Sequence, residues 1–172
     1  MRENGERPRY IICKESCKFA YEQKELEANG FDSERDKMVI VFDGDIFEEK
    51  VQGYDELIAS IEENDIAAVT NPGFELFLLL HINNSYETYI QGHEADFLTM
   101  VNGKYAHAYN VLLDATGMNA KKNPQIGSLA ENVLVAITQE RLINQDIHQL
   151  KGKVSSNIGL IIERIINEKP SI

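Results

Sequence analysis

The sequence predicts an α/β fold, a reduced parallel sheet of about three to four strands flanked by helices, followed by a helical C-terminal half. Three observations carry this. Met38–Phe42 is an apolar run without alternation, the pattern of a central strand covered on both faces, and Ile66–Thr70 reads as a further strand. The amphipathic stretch Tyr54–Glu63 stands between them, which is the order of a parallel βαβ unit with a right-handed crossover. From Gly73 onward the chain is Leu-rich and then helical in its apolar spacing.

Element by element, Arg9–Cys13 follows Pro8 and reads as a first buried strand. Ser16–Asn29 reads as a helix with Phe19, Ala20 and Leu26 inward, Ser16 able to cap its start and Gly30 suited to its end. Met38–Phe42 is the central strand and breaks off at Asp43-Gly44-Asp45. Leu57, Ile58 and Ile61 mark the inner face of the Tyr54–Glu63 helix, and Ile66–Thr70 is a third strand closed by Asn71-Pro72. Phe74–His81 is too long and too Leu-rich for a strand and reads as a buried helix. Further helices are expected over about 95–101, 105–114, 127–143 and 155–167, the last with Ile158, Ile161, Ile162, Ile165 and Ile166 on one face. Asn83–Gly92 and Asn119–Gln125 are the expected long loops, and Lys151-Gly-Lys153 a solvated turn. The expectation is one domain over residues 1–172, with a βα core at about 9–82 and a helical part at about 93–168.

Composition excludes several classes of protein. A net charge of −11, from 17 Lys and Arg against 28 Asp and Glu, gives no steering towards polyanions, so a nucleic-acid role needs metal ions or a partner protein. The longest apolar runs fall far short of the ~20 residues of a membrane-spanning helix, so no membrane partner is expected. Met1–Pro8 is polar and unlike a secretory signal, which points to the cytoplasm. Cys13 and Cys17 form neither a disulfide framework nor a four-ligand zinc pattern. His81 reads as a core or helix-end residue, while His93, His107 and His148 lack any metal-binding spacing. With no Gly-x-Ser-x-Gly elbow and no Gly-rich phosphate loop, hydrolase triads, P-loop ATPases and dinucleotide-binding dehydrogenases drop out.

Ligands of open parallel sheets bind beyond the carboxyl ends of the strands. Glu15, the pair Asp43 and Asp45, and Asn71 all follow strands and fall at that edge. Two aspartates on either side of Gly44 can aim their carboxylates at one point, which suits a hard cation such as Mg²⁺ that takes one or two carboxylates together with water and phosphate oxygens. The local pattern leaves a plain surface turn equally open. In Asn71-Pro72-Gly73-Phe74-Glu75 the proline sets the turn and Glu75 meets the positive end of a new helix, a helix-starting arrangement in its own right.

Val41-Phe-Asp-Gly-Asp-Ile-Phe47 followed by Asn71-Pro-Gly-Phe-Glu-Leu-Phe-Leu-Leu-Leu-His81 resembles the RloB family. Its members carry an Asp-Arg-Asp-Asp-Phe-like turn and an Asn-Pro-Cys-Phe-Glu-Leu-Trp-Leu-Leu-Leu-His-like helix start. Ser155-Ser-Asn157 is similar to the family's approach to its last helix, and the resemblance runs from about residue 9 to the end. It implies a TOPRIM-like fold and Mg²⁺- or Mn²⁺-dependent phosphoryl transfer or nuclease activity, in phage-defence or abortive-infection gene sets that often include a partner ATPase. Carried over residue by residue, Asp43 and Asp45 hold the metal, Glu15 is the general acid or base, and Asn71 and Glu75 support the site.

The chain departs from that pattern in two places. Lys14 stands where the family's catalytic acid is expected, with Glu15 one position later, and the interval from Glu15 to Asp43 holds one helix and one strand where members fit more. The leading reading is therefore a metal-dependent nuclease. Its alternative is a catalytically degenerate TOPRIM-like binding or regulatory subunit, and a third reading makes Asp-Gly-Asp a turn without phosphoryl chemistry.

Overall fold

Every residue of Met38–Phe42 is apolar because the strand that contains it is enclosed on both sides and both faces. In the computed structural model, which describes residues 10–14, 30–32, 34, 36–44 and 53–168, β2 (Lys37–Asp43) runs parallel to β1 (Tyr10–Lys14) on one side. On its other side it runs parallel to β3 (Ile66–Asn71), in a register that sets Asp43 beside Thr70. A two-residue strand, β4 (Ser155–Ser156), pairs antiparallel with Thr70 and Asn71 and completes the order β1-β2-β3-β4.

The alternation of side chains sorts the sheet into two cores. Met38, Ile40, Phe42, Ala67 and Val69 face α1 (Tyr54–Glu62), which buries Tyr54, Ile58 and Ile61 among them. The Tyr54 hydroxyl donates to the Ile147 carbonyl at 2.9 Å, and burial raises its pKa so that it keeps its proton. Val39 and Ala68 face the other way, onto α2 (Phe74–Leu79), whose Leu76, Phe77 and Leu79 are buried with Leu80. Around α2 gather α4 (His107–Thr116), α5 (Val133–Glu140) and α6 (Ile158–Asn167), supplying Ala108, Leu112, Ala136, Ile158 and Ile161 to the same core. The predicted α/β class, with a helical C-terminal half, is the fold observed.

Several elements differ from the sequence reading. Instead of an open loop at 83–92, Tyr86–Ile90 winds as one π-helical turn and buries Ile90 completely. Gln139 explains its position: the Nε2 donates to the Leu80 and Ile82 carbonyls, both at 2.7 Å, and the Oε1 accepts from Ser85 Oγ and Tyr86 N. One buried amide thus satisfies the backbone where α2 ends and the next turn begins.

The helix expected at 95–101 shrinks to α3 (Glu94–Phe97). Val101 and Lys104 exchange backbone hydrogen bonds across Asn102 and Gly103, whose φ values of 52° and 73° give the two-residue turn favoured by Asn-Gly. The expected helix at 127–143 is instead a 3₁₀ stretch, Pro124–Asn132, leading into α5. Asn123 caps it by accepting from Gln125 N, so the turn starts at Pro124.

Helix α6 begins three residues later than expected because Ser155 and Ser156 are strand and Asn157 is an adaptor. The Asn157 Oδ1 accepts from Val69 N at 2.7 Å and its Nδ2 donates to the Ala67 carbonyl at 2.9 Å, continuing the β3 edge with a side chain. The expected helix at 16–29 lies outside the described residues. No helix among the described residues is long and apolar enough to cross a membrane.

Candidate functional site

Parallel neighbours deliver their carboxyl ends to the same edge, so β2 and β3 bring Asp43 and Asn71 together there. Beyond β3, a cis peptide joins Asn71 to Pro72, and the chain passes through extended Gly73 into α2. Asp43 Oδ1 accepts from Phe74 N at 2.8 Å, which fixes its carboxylate over the start of α2. Glu75, one residue further on, turns back to the same place. A Cβ on Gly73 would lie 3.3 Å from Glu75 Oε2 and 3.7 Å from Asp43 Oδ2, so two carboxylates from different elements border one small space that glycine leaves open.

That space is the end of a cleft of about 570 Å³. Asp43, Gly73, Phe74 and Glu75 line it, and so do Lys104, Tyr109 and Lys121. The Asn-Gly turn places Lys104. Lys121 is positioned by an Asn119 turn, where Asn119 Oδ1 accepts from its backbone N–H, and its Nζ stands 5.8 Å from the centre of the Tyr109 ring. Residues of both charges thus line one partly apolar groove.

Of the residues singled out in the sequence, the structure brings Asp43 and Glu75 together. Asn71 sits beside them, but its amide is engaged elsewhere: Nδ2 donates to the Leu150 carbonyl at 3.2 Å and to the Lys153 carbonyl at 2.8 Å, tying down the 150–153 turn. Glu15 and Asp45 lie outside the described residues. His81 is a helix-end residue as read: its ring hydrogen-bonds through Nδ1 to the Phe77 carbonyl at 2.9 Å, and burial pushes its pKa down, so it is neutral. Lys104, Lys121 and Tyr109 went unremarked in the sequence. Their signal there is faint, Lys104 before Tyr105 and Lys121 before Lys122 in an acidic chain, and nothing local ties them to Asp43.

Among the described residues no cluster of three or more His, Cys, Asp or Glu is arranged around one ion. Two carboxylates bordering an open, water-accessible cleft fit Mg²⁺ or Mn²⁺, which keep water and substrate oxygens as their other ligands, and do not fit a structural zinc. The bond from Phe74 N uses one lone pair of Asp43 and orients the carboxylate, as supporting hydrogen bonds do at metal sites.

The family model for RloB-like proteins matches residues 4–165. The chain belongs to the RloB-like family. No curated protein and no solved structure matches it significantly.

Proposed function

We propose that this RloB-like chain is a metal-dependent phosphoryl-transfer enzyme, a nuclease of TOPRIM type, working in phage defence beside a partner ATPase. The observation that supports it is the pairing of Asp43 and Glu75 around the space at Gly73, at the carboxyl edge of the sheet and on a cleft that Lys104 and Lys121 also line. Asp43 and Glu75 hold the cation, with Asp45, two positions on in the sequence, as a further carboxylate. Bound there, Mg²⁺ or Mn²⁺ supplies charge neutralisation at a phosphate oxygen and a more acidic water. Asp43 is held in place through Phe74 N, so little reorganisation is needed when substrate arrives. Glu15 is the group for proton transfer in this reading.

A second reading, a catalytically degenerate binding or regulatory subunit, is favoured by Lys14 at the end of β1 and by the direct pairing of β1 with β2, without an intervening strand. One pair of assays separates the two. Calorimetric titration of Mg²⁺ and Mn²⁺ and a nuclease assay are run on the parent chain and on the Asp43→Ala, Asp45→Ala double variant. Cleavage and metal binding that both disappear in the variant support the enzyme. Metal binding without cleavage in the parent supports the regulatory subunit, and equal behaviour of parent and variant in both assays refutes the site.

A further inference from the structure

The cleft has a second wall that a metal site alone does not require, and its chemistry describes a ligand. Lys104 and Lys121 are exposed and line the same cleft as Asp43 and Glu75. Aromatic residues line it with them. Phe74, which lines the cleft, is 39% exposed, and its ring stands against Phe77 at a centroid distance of 6.1 Å. Tyr109 is half-buried on α4 beneath Lys121.

Cations for phosphates and ring faces for bases are the two components of single-strand recognition. A duplex hides its base faces in the stack and is held through many phosphates, which calls for a broad cationic surface. This chain carries a net charge of −11 and presents its two cleft lysines in a groove of about 570 Å³, a volume suited to a few small groups.

We infer that the cleft seats a single strand of nucleic acid, with Lys104 and Lys121 on its phosphates and a base against Phe74 or Tyr109. The strand then runs from the lysine wall to the carboxylate end, and the phosphate next to the seated base is the one brought to Asp43 and Glu75. This deepens the proposed function and rests on it for the reaction, while the contacts themselves come from residues on other elements.

The test is fluorescence anisotropy with a short labelled oligonucleotide, single-stranded or annealed to its complement, on the full-length Asp43→Asn chain so that cleavage does not intervene. The single strand is expected to bind about tenfold or more tighter than the duplex. Replacing both lysines (Lys104→Ala with Lys121→Ala) is expected to weaken it about tenfold and to flatten the salt dependence by roughly 1.4 in the log–log slope. Tyr109→Leu is expected to weaken binding severalfold with the salt slope unchanged, the mark of lost stacking. Equal or tighter duplex binding overturns the inference, as do lysine variants that bind like their parent or inorganic phosphate that competes as well as the oligonucleotide. Mn²⁺ titration of the otherwise unaltered lysine double variant keeps the two ideas apart. Lost metal binding in Asp43→Asn with intact lysine dependence supports both, whereas no metal binding in any chain with intact lysine dependence removes the nuclease and leaves the strand site supported.

Discussion

Gly44 has no room for a side chain. A Cβ there would sit 2.9 Å from Asn71 Cβ and 3.1 Å from both the Thr70 carbonyl and Leu150 Cδ1, two of the three being parts of β3 that cannot swing aside. The close approach lets β2 end against β3 and hands Asp43 to the Gly73 turn. Gly44→Ala is therefore expected to cost roughly 1–3 kcal/mol by overpacking, lowering Tm by roughly 3–10 °C in thermal unfolding; an unchanged Tm would mean the turn has slack. Asp43 itself combines two positions, capping α2 through Oδ1 and bordering the space at Gly73 with Oδ2. Asp43→Asn keeps an acceptor for Phe74 N, so its Tm is expected to stay within a few degrees of the parent while Mn²⁺ affinity falls at least about tenfold. A large loss of stability with metal binding intact would reduce Asp43 to a helix cap. The pair Asp43 and Glu75 was legible as two acids at strand and helix ends. Their convergence was not, because it depends on the register of two strands and on the missing Cβ at Gly73.

At the scale of elements, the strands and α1 were readable because unbroken apolar runs and a single inward stripe are local patterns. The misread elements are those governed by side chains far away in sequence. Gln139 sets the π-helical turn from more than fifty positions away, and Asn157 extends β3, so neither effect leaves a local mark. Asn102-Gly103, a turn signal, stands between the two expected helices 95–101 and 105–114 and makes its turn there. Helix α6 shows the same logic at its start. The fully buried Glu140 carboxylate accepts from Ser156 Oγ, Gly159 N, Leu160 N and Gln145 Nε2, capping the helix from another element. Burial raises its pKa above the ordinary 4.5, against the pull of those donors. The proton is held more tightly in the folded chain than in the unfolded one, so this group's contribution to stability is fully present below pH 4.5 and is lost as pH rises through the raised value. Glu140→Gln cannot titrate. The Tm of the parent minus that of Glu140→Gln is expected to be largest near pH 4.5 and to shrink towards neutrality, measured by calorimetric scans across that range; a difference that grows towards neutral pH would contradict it.

Over the whole molecule, one sheet serves two cores and one edge. Helix α1 covers one face, the C-terminal helices cover the other, and the carboxyl edge of β2 and β3 is where the cleft opens. The fold class could be read from patterning alone, since each layer is announced by its own periodicity. The cleft could not, because its walls come from residues around 43, 73, 104 and 121, brought together by tertiary packing. The measurement that bears most directly on the central claim is Mn²⁺-induced broadening of backbone amide signals in the full chain. Broadening is expected to begin at substoichiometric Mn²⁺ around Asp43 and Gly73–Glu75, and to be absent in Asp43→Asn. Broadening scattered over the acidic surface, or unchanged in that variant, would contradict a metal site at the end of β2.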